Sequence, residues 1–201
     1  MSFALTIAAC IGIAVSDFAA GPFDTPPNRF ADTVNPVLRQ VQSDLRVRRT
    51  TCTSTVPPSC RFSARDVDIV VTGQGAGTGR ITVAVTFRRG GETEATRLLR
   101  ASMSVLGAVM VTYDPGMRAS RRVDMINELG EAAFEDSEAH LDSADVHYAL
   151  AFDDASRRLE IVVAPLRLAH GNETLKPKCV RPVNHCLTMC LAARHRVVSG
   201  R

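Results

Sequence analysis

The chain has 201 residues, 45% of them apolar and 22% charged, which excludes a disordered or collagen-like polymer. Its length fits one domain with a real core, since a chain near 150 residues buries about 70% of its unfolded surface. The formal net charge of +3 is no sign of a nucleic-acid partner, because residues 169–201 hold Lys176, Lys178, Arg181, Arg194, Arg196 and Arg201 against Glu173 alone. That tail carries +5, residues 1–168 carry −2, and no nucleic acid is expected.

Phe3 to Val15 is an uncharged, almost wholly apolar run, followed by Ala14-Val15-Ser16 and Asp17. It reads as a secretory h-region with small residues at the two positions a signal peptidase inspects, so residues 1–16 are expected to be a signal peptide and Asp17 the mature start. The run has thirteen residues, whereas a bilayer needs roughly twenty, and no transmembrane span is expected in the mature chain. The expected location is periplasmic or secreted. Export makes disulfides permissible and removes the chain from most ATP- and NAD-dependent chemistry. No Lys or Arg precedes Phe3, which leaves two alternatives. Ile7-Ala8-Ala9-Cys10 has the pattern of a lipoprotein signal, with Cys10 as the candidate lipidation site. Otherwise the run is a buried N-terminal element of a cytoplasmic domain.

Asp24-Thr25-Pro26-Pro27 reads as a linker. Phe30, Val34, Leu38 and Val41 recur at helical spacing, and Pro36 is expected to kink that helix or restart it with Asn35 as cap. Three strands follow, over 45–53, 60–72 and 80–89. In the third, Ile81, Val83, Val85 and Phe87 alternate with Thr82, Thr86 and Arg88. Closing the second and third so that Val71 faces Ile81 pairs Ile69 with Val83 and Val67 with Val85, and a one-residue slip would mix the faces. The intervening Gly73 to Gly79 run is a hairpin loop rather than a phosphate cradle. It contains no G-x-G-x-x-G, no Lys-Ser/Thr ends it, and a strand follows instead of a helix.

Glu92 to Tyr113 carries a broad apolar stripe and is the strongest helix; Asp114-Pro115-Gly116 ends it. A second helix runs from Ser120, as N-cap, to about Leu129, before Gly130. Strands over 144–152 and 159–163, joined by a turn from Asp153 to Arg158, close the domain. The order α-β-β-β-α-α-β-β predicts an α+β domain over 17–168, with an antiparallel five-stranded sheet and the helices on one face. Residues 169–201 are expected to form a poorly ordered basic tail containing Cys and His. The element order is loosely similar to that of bacterial type III secretion chaperones (helix, three strands, helix, two strands, helix). That likeness would imply a cytoplasmic dimer.

Cys52 and Cys60 flank Thr53 to Ser59 at the tip of the first hairpin and are expected to form a disulfide that registers the two strands. Arg46, Arg48, Arg49, Arg61 and Arg65 make a candidate binding surface for an anionic envelope component, with Arg46 expected opposite Asp66. His140, Asp142, Asp145 and His147, with Glu135, Asp136 and Glu138 nearby, have metal-ligand chemistry. Their spacing matches no zinc or calcium loop, so a solvated acidic connection is expected and no metal. Cys179, His185, Cys186, Cys190 and His195 are zinc-ligand types without the paired-knuckle spacing. No catalytic motif occurs: G-x-S-x-G is absent, and Asp153-Asp154 sit on a turn where neither carboxyl is expected to be shifted.

The sequence therefore points to a small exported α+β binding or accessory protein of the bacterial cell envelope. No cofactor is expected, and the partner would be an unknown envelope protein or an anionic surface component. The alternatives are an envelope hydrolase using the His140–His147 segment and a secretion-chaperone-like cytoplasmic dimer.

Overall fold

A computed structural model of the chain describes residues 21–41, 43–87 and 91–169. A short 3-10 helix, Pro27–Arg29, leads into α1 (Phe30–Gln40). Four strands follow: β1 (Arg48–Thr53), β2 (Ser59–Ala64), β3 (Val67–Gln74) and β4 (Gly77–Thr86). Then come α2 (Glu92–Tyr113), α3 (Ala119–Asp136), β5 (Glu138–Asp142), β6 (Val146–Asp153), β7 (Arg158–Pro165) and a last turn of helix, α4 (Leu166–Ala169). Among the described residues the sheet has seven strands in the order β1-β2-β3-β4-β7-β6-β5, antiparallel at every pairing. The chain thus lays down four strands as a meander, crosses by α2 and α3 to the far edge, and returns inward through β6 and β7 to pair with β4.

Alternation decides which face is covered. Cys60, Phe62, Val67, Ile69, Val71, Ile81, Val83, Val85, Leu150, Ile161 and Val163 are buried and join one core with Phe30 and Leu38 of α1, Leu106 and Met110 of α2, and Leu129 of α3. Phe30 packs its ring 5.2 Å from that of Phe62 and 6.1 Å from that of Tyr113, tying α1 to both the sheet and α2. Burying a side chain of this size contributes about 1.5–3 kcal/mol. The register expected for the central hairpin is observed, with Ile69 opposite Val83 and Val71 opposite Ile81.

The α+β class is as expected, but the sheet has seven strands rather than five. One missed strand comes from splitting the segment 60–72. Inward residues are Cys60, Phe62 and Ala64, then Val67, Ile69 and Val71, so the apolar phase flips at Arg65-Asp66. The flip is a tight turn: Ala64 pairs with Val67, and Arg65 takes a left-handed φ of 55°. The second missed strand is β5, taken for an acidic connection because only Ala139 and Leu141 turn inward among charged neighbours. α3 also runs further than expected, to Asp136.

Two expectations near α1 are corrected as well. α1 is continuous through Pro36, and Asn35 is no cap. Its amide instead exchanges two hydrogen bonds with the Val47 backbone, at 2.9 and 2.8 Å, which pins the chain entering β1. The Asp24–Pro27 segment is packed rather than a free linker: the Thr25 carbonyl accepts the Thr78 hydroxyl at 2.7 Å and Pro27 is buried, while Phe23 just before it lies 5.1 Å from the Tyr113 ring.

Candidate functional site

β1 is built almost wholly from Arg, Thr and Cys, and all six of its residues are exposed on both faces. A polar edge strand with nothing to bury needs another source of order, and the disulfide supplies it. Cys52 lies directly opposite Cys60, with Cα atoms 4.0 Å apart, and the two are bonded. Cys60 is buried in the core, so the bond anchors the exposed strand to the interior. The loop beyond is held at several points. Thr53 Oγ1 donates to the Ser59 carbonyl at 3.3 Å, and Gly73 N–H donates to the Pro58 carbonyl at 2.6 Å. A Cβ on Gly73 would lie 2.6 Å from Pro58 Cγ, so the loop seats against β3 only because that residue is glycine. At the tip Val56 is 98% exposed, a large apolar side chain presented on a stiffened loop.

The five arginines do not form one surface. Arg48 pairs with Ser63 and Arg61 with Thr51, which sets both guanidinium stems on the outward face. Arg49 lies opposite the buried Phe62 and so belongs to the other face. Arg46 turns back to donate to the Ser43 and Leu45 carbonyls, at 2.8 and 2.6 Å, and does not face Asp66. The cause is a bulge between Arg49 and Thr51, which slips the ladder by one residue and leaves residues before Arg48 outside it. Thr50 fills the bulge and donates to the Arg61 carbonyl at 3.0 Å. Arg65 is engaged by Asp44, and Asp66 by Arg97 at 2.9 Å.

β5 brings together the histidine cluster that sequence left dispersed. Asp142 stands opposite His147, and His147 Nδ1 lies 2.6 Å from its Oδ1; His140 Nε2 lies 2.9 Å from Glu138 Oε1. The two imidazoles are near-parallel with centroids 5.6 Å apart. Asp145 sits in the β5–β6 turn, and Glu135 and Asp136 end α3, so these three stand apart. Among the described residues no three His, Cys, Asp or Glu side chains are placed to hold one ion. A His–carboxylate pair can act as a general base, but a base needs a substrate pocket beside it. Two of the open clefts on described residues lie away from this pair. One of about 400 Å³ lies between Phe23, Gly77 and Arg167, and one of about 650 Å³ between Asp44, Arg65, Arg97 and Arg100; neither is lined by His140 or His147.

One carboxyl departs from expectation. The Ser156 hydroxyl, at 2.6 Å, and then the Ala155 N–H, at 3.0 Å, hold Asp153 below the usual carboxylate range. Tyr148 is shifted the opposite way: burial first, then the Asp114 carboxylate that its hydroxyl meets at 3.1 Å, push its phenol far above the ordinary tyrosine value. Asp114 is 8% exposed, and the pair closes the α2–α3 corner onto β6.

The glycine run is largely strand rather than loop: Gly73 lies in β3, Gly77 and Gly79 lie in β4, and the turn is Gly75-Ala76, with Gly75 at a φ of 57°. Cys10, the segment 1–16 expected to be a signal peptide, and the tail from residue 170 onward, with its cysteines and histidines, lie outside the described residues. No helix among the described residues is long and apolar enough to cross a membrane. Sequence reasoning missed Val56, whose only signal was one apolar residue inside a Thr/Ser/Pro loop. No family model, curated protein or solved structure matches the chain.

Proposed function

We propose that this chain is an exported binding module of the bacterial envelope, whose contact element is the disulfide-tied β1–β2 hairpin. The observation that carries the reading is the combination at the hairpin tip: Val56 almost fully exposed, on a loop fixed by a disulfide and by the Pro58–Gly73 contact. Binding surfaces spend less free energy on ordering when the contact loop is held in place beforehand. Exposed Arg48 and Arg61, on the two strands that carry that apolar tip, favour an anionic partner surface, through charge-assisted contacts and faster encounter. The hydrolase alternative retains the His147–Asp142 pair, but the clefts described above lie elsewhere.

The test is site-specific photo-crosslinking in cells of the native organism, with the reactive side chain at position 56 and, as control, at Ala155 in the exposed β6–β7 turn. A discrete adduct at position 56, absent at 155 and weakened by R48E/R61E, is the expected result. No adduct, or equal adducts at both positions, would dispose of the hairpin as the contact element.

A further inference from the structure

The larger of the two clefts described above lies between the 43–45 segment, Arg65 of the β2–β3 turn and one side of α2. Its volume of about 650 Å³ is that of a small-ligand pocket. Several of its charges are already paired within the fold. Asp44 engages Arg65, and Arg97 is held by Asp66 at 2.9 Å and by Glu94 at 4.0 Å. The α2 wall is different. Residues four apart are neighbours on a helix surface, and one such row lining the cleft reads Glu92, Thr96, Arg100, Ser104. Among the described residues the side chains of Glu92, Thr93, Thr96 and Arg100 have no hydrogen-bond or ion-pair partner. Glu92 and Arg100 stand eight residues apart, about 12 Å along the axis, and do not meet. Leu45 and Ala101, which also line the cleft, are buried and give it an apolar floor.

We propose that this cleft binds a short linear peptide with both termini free, its amino group at Glu92 and its carboxylate at Arg100. The inference is independent of the hairpin reading, because no residue of β1 or of the loop beyond it lines the cleft. The two unpartnered charges have opposite sign. A simple anion satisfies one and leaves the other, whereas a zwitterion of matching length satisfies both. An extended chain advances about 3.3–3.6 Å per residue, so a tetrapeptide spans the separation of Glu92 and Arg100. Between its ends a peptide presents amide N–H and C=O groups. The Thr93 and Thr96 hydroxyls, each both donor and acceptor, answer them. At one end the planar guanidinium of Arg100 suits a carboxylate, which it grips with two parallel hydrogen bonds. At the other, the N-terminus of α2 carries about half a positive charge, which the full charge of Glu92 outweighs for an ammonium group.

Heteronuclear NMR of the full mature chain tests this, with tetra-alanine as the probe. The free-ended peptide is expected to shift the amides of 43–45 and 92–104 saturably, with millimolar or tighter affinity. Binding is expected to weaken as salt screens the two ends. E92Q and R100Q are each expected to weaken it about three- to fivefold, the loss of one exposed ion pair. Both side chains are exposed and without a partner among the described residues, so both variants are expected to melt as the wild type does. Capping the peptide removes the same charges from the other side. N-acetyl tetra-alanine is expected to bind wild type and E92Q equally, and tetra-alanine amide to bind wild type and R100Q equally. If either variant misfolds, the two capped peptides on the wild type still decide the matter, because each must bind more weakly than the free-ended one. No saturable shift by about 10 mM, shifts outside the cleft, caps without effect, or acetate alone binding as tightly as the peptide would each overturn the proposal.

Discussion

Replacing both hairpin cysteines with alanine separates the role of the bond from that of the strand it ties. The bond closes a loop with a sequence separation of 8 residues. In the chain-entropy model a loop of that size restricts the unfolded chain by about 2–3 kcal/mol. On the native side little is lost: β1 buries nothing, and the Pro58–Gly73 and Thr53–Ser59 hydrogen bonds still hold the loop. Alanine rather than serine is the right replacement at Cys60, because a hydroxyl there would be buried without a partner. Thermal unfolding of C52A/C60A should therefore fall by about 4–12 °C, at about 2–4 °C per kcal/mol for a chain of this size. Far-UV circular dichroism should remain that of the folded domain. An unchanged midpoint would mean that the hairpin unfolds separately from the core, contradicting the anchoring through buried Cys60. A loss of about 5 kcal/mol or more would mean that β1 holds native interactions which its exposure denies.

Three further outcomes follow from single contacts. Tyr148→Phe removes the hydroxyl that donates to the buried Asp114 carboxylate, and denaturant unfolding should show a loss of about 1–3 kcal/mol. Gly73→Ala forces a methyl against Pro58 Cγ at 2.6 Å; it should destabilise by about 1–3 kcal/mol and speed hydrogen exchange at Thr53 to Ser59, while exchange in β6 and β7 stays slow. Asp153 has a folded pKa held down by Ser156, so its contribution to stability is present above the ordinary aspartate value near 3.9 and disappears as pH falls through the folded one. An NMR titration should place its midpoint below that value, and Ser156→Ala should move it back up.

The central sheet was legible because the large residues Ile81, Val83 and Val85 alternate with Thr82, Ala84 and Thr86, and one register gives each an apolar partner in β3. α2 was legible for the matching reason at helical period. What escaped was hidden by weak turn chemistry. Arg65-Asp66 has none of the Asn-Gly character of a two-residue hairpin loop, yet the switch of inward parity between Ala64 and Val67 marked the turn. β5 escaped because it is five residues long and lies on an edge, where charge is the rule. That omission dispersed the histidine cluster, since His140 and Asp142 reach His147 only through the β5–β6 ladder. The disulfide was readable from two cysteines around a Thr/Ser/Pro loop. The arginine surface was not, because a bulge at Thr50 carries no sequence mark and redirects every residue before it.

The export and disulfide readings depend on the chain meeting an oxidising compartment, and intact mass of the natively produced protein, fraction by fraction and after thiol alkylation, tests that most directly. The account predicts a periplasmic or secreted species beginning at Asp17, without lipid on Cys10, with Cys52 and Cys60 unavailable to alkylation until reduced. A cytoplasmic species retaining Met1, with both thiols alkylated under native conditions, would contradict it.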